Sequence, residues 1–147
     1  MITQLRAKAR SESGFTLVEL LVVMLILGLL ASIAIPAFFN QRVKAQDSEA
    51  KSIAKTAQTA LETYATDRGG VYTGASRTLL KRIEPTLSLA TSGANAITTL
   101  SVGPSSYTLS VTSAGGNVFS IVRATSGTLT YPCTTAGLGG CSPGGWG

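Results

Sequence analysis

The chain contains no histidine and only two cysteines, Cys133 and Cys141. Without histidine it lacks the commonest general base and the commonest neutral metal ligand. Charge is scarce as well: 13% of residues carry one, and from Pro85 to Gly147 the only charged side chain is Arg123. Beyond Gly70 the single acid is Glu84, so neither paired-carboxylate catalysis nor a carboxylate cage for calcium is expected there. There is no Gly-x-Ser-x-Gly, no phosphate-cradling glycine loop with a lysine, and no His or Cys dyad. These absences argue against an enzyme and call for no cofactor or metal. Nucleic acid is not expected as a dedicated ligand either, because the one local basic cluster, Arg77, Lys81 and Arg82, lacks interleaved aromatics and reads as a solvated loop.

What the sequence has in abundance lies near its start. From Phe15 to Phe39 the chain is apolar apart from Thr16, Glu19 and Ser32. Leu20–Phe39 alone would span ~30 Å as a helix, the thickness of a bilayer core. Residues 1–13 hold Arg6, Lys8 and Arg10, a basic leader that the positive-inside rule keeps in the cytoplasm. Everything C-terminal to the run is then exported. Cys133 and Cys141, eight residues apart in a glycine-rich stretch, read as a disulfide in that compartment, since an isolated pair makes a poor zinc site.

Glu19 is the anomaly. A carboxylate in an inserting helix costs about 2.5–3.5 kcal/mol on insertion scales, and no basic side chain occurs between Phe15 and Gln41 to offset it. Its partner must come from elsewhere. A secretory signal peptide, cleaved among the small residues of Ala31–Ala37, and a plain single-pass anchor both leave Glu19 unexplained.

Helical patterning continues beyond the run. Val43, Ala50, Ile53, Ala54, Ala57, Ala60, Leu61 and Tyr64 recur at threes and fours, with Asp47 and Lys51 spaced for an i,i+4 pair. Gly69-Gly70 supplies a stop. One helix from Thr16 to Arg68 would be ~80 Å long. Val71–Asn95 has no clear period and reads as a connecting loop with a helical turn at Leu79–Ile83. The period then becomes two: Tyr107–Thr112, Val118–Ala124 and Thr128–Tyr131 are strands, Ile97–Val102 a weaker fourth, with turns at Gly103-Pro104, Ala114–Asn117 and Ser126-Gly127. The expected fold class is α+β: a long N-terminal helix packed on a small antiparallel sheet of three or four strands.

The stretch Gly14-Phe15-Thr16-Leu17-Val18-Glu19, set before twenty apolar residues, resembles the processing site of type IV prepilins and of type II secretion pseudopilins. Glu19, Gly28 and Pro36 also stand where that family has its acid, glycine and proline. The resemblance implies cleavage after Gly14 by a membrane prepilin peptidase, which also N-methylates Phe15. It implies an α-amine at Phe15 as the missing cation for Glu19, supplied by a neighbouring subunit during assembly. Gly28 and Pro36 become helix-break positions, the proline through its lost hydrogen bond, with a gentle bend expected in an isolated subunit. The Cys133–Cys141 loop resembles the C-terminal disulfide loop of many pilins.

The expected organisation is a leader over 1–14 removed on maturation, a transmembrane and assembly helix over 15–39, its amphipathic half over 40–68, a connecting loop over 69–96, and the sheet with its disulfide loop over 97–147. The function implied is a structural subunit that waits in the inner membrane, N-terminus inside, and then polymerises with copies of itself. Its implied partners are the peptidase and methyltransferase, an assembly platform with its ATPase, and the lipid bilayer before assembly. Two alternatives stay open: a pseudopilin of a type II secretion system, and a membrane-tethered or secreted binding domain.

Overall fold

A computed structural model describes residues 14–134 and 136–147. The basic leader lies outside the described residues, Gly14 excepted. The chain divides into two compact units, Met1–Ala37 and Phe38–Gly147. Helix α1, Leu17–Thr66, runs through both and contains Pro36, with the division falling just after that proline.

In the first unit α1 is made of residues that bury nothing within the chain. Phe15 is 76% exposed, Met24 70% and Ile33 76%. Ser32, the one hydroxyl side chain between Leu17 and Ala37, donates to the Leu29 carbonyl at 2.7 Å.

In the second unit α1 lays a narrow stripe on a sheet. Ala50, Ala54 and Ala57 are fully buried, followed by Ala60, Leu61, Tyr64 and Ala65. Alanine fills most of these positions, and much of the core's bulk comes from strand side chains such as Leu109, Phe119 and Ile121. The helix ends at Thr66, and Gly69 and Gly70, with φ of 68° and 89°, reverse the chain so that the Gly70 N–H donates to the Ala65 carbonyl at 2.8 Å. Only glycine takes such left-handed angles at no steric cost.

Helix α2, Arg77–Ile83, begins two residues before the turn expected at Leu79, because Ser76 caps it: the Leu79 N–H donates to the Ser76 hydroxyl at 3.4 Å. The sheet is an antiparallel meander, β1 Ala96–Val102, β2 Tyr107–Thr112, β3 Val118–Arg123 and β4 Leu129–Thr130, in that spatial order. The expected strands thus appear in place, β4 shorter than read. A register shift between Ile97 and Thr99 explains why β1 alternates poorly in sequence.

Tyr107, Leu109 and Val111 on β2, with Phe119 and Ile121 on β3, form the core face, joined by Leu61, Leu80, Leu87 and Ile97. After β4 the chain stays beside β3, with the Ser120 N–H donating to the Pro132 carbonyl at 2.9 Å and the Thr134 N–H to the Val118 carbonyl at 3.0 Å. Trp146 then ties the C-terminus back. Its indole N–H donates to the carbonyls of Ser120 (3.0 Å) and Pro132 (3.2 Å), and its ring meets Phe119 and Tyr131 edge-on.

Candidate functional site

Three places hold the residues singled out by sequence. The first is the start of α1. Thr16 precedes the helix, and its hydroxyl accepts from the Glu19 N–H at 3.2 Å. Glu19 Oε2 in turn accepts from the Thr16 N–H at 3.2 Å and from the Thr16 hydroxyl at 3.3 Å. This reciprocal arrangement is a capping box, which satisfies donors that a helix start otherwise leaves open. The acid also lies favourably against the positive end of the helix dipole. Thr-x-x-Glu before an apolar run was the available signal, and the sequence reading passed over it in favour of an external partner. The two roles are compatible, because among the described residues the capping bonds all fall on Oε2 and none engages Oε1.

The second place is the apolar stretch. A Cβ added at Gly28 would meet nothing within 4 Å, so nothing in this chain requires glycine there. Pro36 interrupts the backbone hydrogen-bond ladder of α1 from within.

The third is the disulfide loop. Cys133 and Cys141 are bonded, with their Cα atoms 5.8 Å apart. The loop is fastened to α1 by the two charges read as a mutual i,i+4 pair. They converge instead on a single residue: Asp47 Oδ2 accepts from the Gly140 N–H at 2.8 Å, and the Lys51 ammonium donates to the Gly140 carbonyl. Asp47 is fully buried and also accepts from the Asn117 side-chain amide at 2.8 Å, which ties in the β2–β3 turn. Its other oxygen, Oδ1, is buried without a partner. Gly139 has φ +60°, and a Cβ there would fall 2.2 Å from Asp47 Oδ2, so the loop's approach to the helix depends on glycine. The i,i+4 spacing of this clasp is legible locally, but its target lies 93 residues away from Asp47.

A polar cluster at the other end of the sheet was not anticipated. The Glu62 carboxylate accepts from the Tyr72 hydroxyl at 2.6 Å and from the Tyr107 hydroxyl at 2.9 Å. Burial, reinforced by those bonds to an anion, pushes the Tyr72 phenol up to about 12 and raises that of Tyr107 further. Both tyrosines are therefore neutral donors at physiological pH. Among the described residues no group of three or more His, Cys, Asp or Glu side chains could hold a metal.

The comparisons fit the first place. Residues 9–35 match the family model described as the prokaryotic N-terminal methylation motif. Among curated proteins the chain is 41% identical over 58 residues to fimbrial protein EcpC of Eikenella corrodens, covering 40% of this chain and 38% of that one. It is 42% identical over 55 residues to the type IV major pilin protein PilA of Myxococcus xanthus, covering 37% and 25% respectively. It is 40% identical over 58 residues to the type IV major pilin protein PilE1 of Neisseria gonorrhoeae, covering 40% and 35%. These matches span about a third of the relatives' own length or less. No solved structure matches the chain. The chain thus carries a prepilin-type N-terminal methylation motif and is similar, over about two fifths of its length, to type IV major pilins and fimbrial proteins, with a long helix packed on an antiparallel sheet.

Proposed function

We propose that the protein is a structural subunit of a type IV pilus-like filament. It enters the inner membrane as a precursor with its basic leader inside, is cut after Gly14 by a prepilin peptidase, is N-methylated at Phe15, and polymerises through α1 with help from an assembly platform and ATPase. The observation that carries this reading is the combination in α1 of an exposed apolar stretch and one capped carboxylate. Side chains from Leu17 to Phe39 lie open along the helix. Water is a poor solvent for such a surface, so it belongs in lipid and then among neighbouring copies.

Cleavage after Gly14 would create an ammonium at Phe15 and supply the cation that the run lacks. Glu19 Oε1, which no described residue engages, can accept from such a group on a neighbour while Oε2 keeps its own helix start closed. A carboxylate left unpaired between packed helices is strongly disfavoured. The pair therefore opposes mis-staggered docking more than it adds to bulk cohesion. The absence of any packing requirement at Gly28 suits close approach by another helix.

The test is direct. Mature protein should begin at Phe15, with the added mass of a methyl group, when sequenced and weighed. A start near Ala34 or Ala37 would replace this reading with an ordinary signal peptide. Glu19→Gln sharpens it, because glutamine can keep the capping box while removing the charge. The variant should insert, be cut and fold, yet form few or no filaments in electron micrographs. Normal fibre number and length would leave Glu19 as a helix cap only.

A further inference from the structure

The second unit carries an open groove of about 650 Å³ that the filament reading does not use. One wall is the first turns of α1 in that unit, Asn40, Val43 and Lys44, and the other is two glycine-rich loops, the β2–β3 turn at 115–117 and the disulfide loop at 137–139. We infer that this groove is a docking site for the phosphate headgroup of an anionic phospholipid, engaged while the subunit waits in the membrane. The inference rests on the spanning reading of the N-terminal run.

Three observations carry it. The first is depth. Phe38 and Phe39, 67% and 56% exposed, close the apolar run, and Asn40–Lys44 follow at once on the same helix. At 1.5 Å per residue Lys44 lies ~8 Å beyond Phe39, at the outer edge of the headgroup layer that flanks the hydrocarbon. The two loops share that depth because they pack on the same turns: an added Cβ at Gly115 or Gly139 would touch the Val43 side chain, at 3.2 and 3.0 Å.

The second is charge. Lys44 lines the groove and is exposed, which puts a cation on its rim. The carboxylate below, Asp47, is fully buried, with Oδ2 engaged by Asn117 and Gly140, so it is not exposed on the groove's surface. The third is an apolar knob. Leu138 is 61% exposed, sits between two glycines on the groove's rim, and is held there by the disulfide and by the clasp on Gly140. An exposed leucine on a braced loop beside a lysine is the pairing an interface between headgroups and acyl chains receives well.

The full-length chain should be placed in nanodiscs of phosphatidylcholine mixed with phosphatidylglycerol, and the lipids it retains on gentle extraction identified by native mass spectrometry. Phosphatidylglycerol should be enriched over its share of the disc. Lys44→Gln should lower that enrichment about fivefold, the effect of one basic residue at an anionic surface. Arg82→Gln, which removes an exposed charge from α2, should leave it unchanged. Unaltered Trp146 fluorescence would show that the Lys44 variant is folded.

Retention in proportion to disc composition, or equal losses from the Lys44 and Arg82 variants, would overturn the site. Displacement of the lipid by millimolar inorganic phosphate would make the groove a site for free anions and overturn the lipid assignment. Full release of the chain from vesicles by alkaline carbonate would sink the spanning reading and this inference with it, whereas a chain that stays in the bilayer without selecting phosphatidylglycerol sinks this inference alone.

Discussion

The two stretches of α1 on either side of Pro36 obey the same helical geometry and meet opposite fates. From Leu17 to Ala37 the side chains are mostly large, apolar and exposed; from Asp47 to Ala65 the buried ones are mostly alanine. The more hydrophobic stretch is thus the one that buries nothing. Burial inside a chain depends on having a partner surface, and the sheet offers that surface to only one stretch. Under the proposed function the first stretch finds its partner outside the chain, in lipid or in other copies, which accounts for a hydrophobic side chain at almost every position.

The sharpest way to break this contrast is to truncate one side chain on each side of it. Phe119→Ala removes a fully buried ring from the core beneath the second stretch and should cost about 3–5 kcal/mol. Leu25→Ala, in the first stretch and 63% exposed, should change stability in detergent by less than about 0.5 kcal/mol. Trp146 is the only tryptophan and meets Phe119 edge-on, so its fluorescence during denaturant unfolding reads both. For the Phe119 variant, circular dichroism should run in parallel, since the mutation alters the probe's own surroundings. A comparable loss from Leu25→Ala would mean that the first stretch supports the fold after all.

Next in size is the disulfide. Replacing Cys133 and Cys141 together by serine should lower the stability of the second unit by about 2–3 kcal/mol on the chain-entropy model. The clasp comes after it. Gly139→Ala strains a left-handed position and drives a methyl group into Asp47 Oδ2, and should cost ~2 kcal/mol from the backbone alone. Asp47→Ala leaves the Gly140 N–H and the Asn117 amide without their acceptor, for about 1–3 kcal/mol. Both should leave membrane retention untouched, which keeps the two stretches separable.

The tyrosine pair gives the contrast a pH signature. Below pH 10 Tyr72 is protonated in folded and unfolded chains alike, so it contributes no pH dependence there. Its phenol is held up to about 12 in the folded chain by burial and by the bond to Glu62. As pH rises from 10 towards 12 the unfolded chain loses this proton first, and stability falls. Tyr107, raised in the same way, extends the loss upward. Thermal melts should therefore show a midpoint declining from about pH 10, less steeply in Tyr72→Phe.

Much of this was legible in the sequence, for identifiable reasons. The run, the alanine stripe and three of the strands announce themselves through local periodicity, and β1 was weak because its register shifts between Ile97 and Thr99. The cysteine pair was readable because its partners are close in sequence. What escaped depends on distant pairing. Lys51 meets Gly140 across 89 residues, Glu62 meets Tyr107 across 45, and no local pattern encodes either. The same holds for Trp146, whose strap depends on carbonyls at Ser120 and Pro132. The groove escaped too, since its walls come from three separate segments.

The smallest expected effect concerns Thr16, and it separates the two roles of Glu19. The hydroxyl closes the capping box with the Glu19 N–H and carboxylate. Thr16→Ala should cost ~1 kcal/mol of local helix stability, seen as faster amide exchange at the first turn of α1 in detergent. Unfolding of the second unit, followed at Trp146, should not move, because fraying at a helix start stays within its first turns. The charge on Glu19 survives in this variant, whereas Glu19→Gln keeps the cap and loses the charge. If the acid acts on a neighbour, Thr16→Ala should still build filaments, in reduced number, while Glu19→Gln should not. If it acts only as a cap, the ranking reverses, and Thr16→Ala becomes the more damaging of the two.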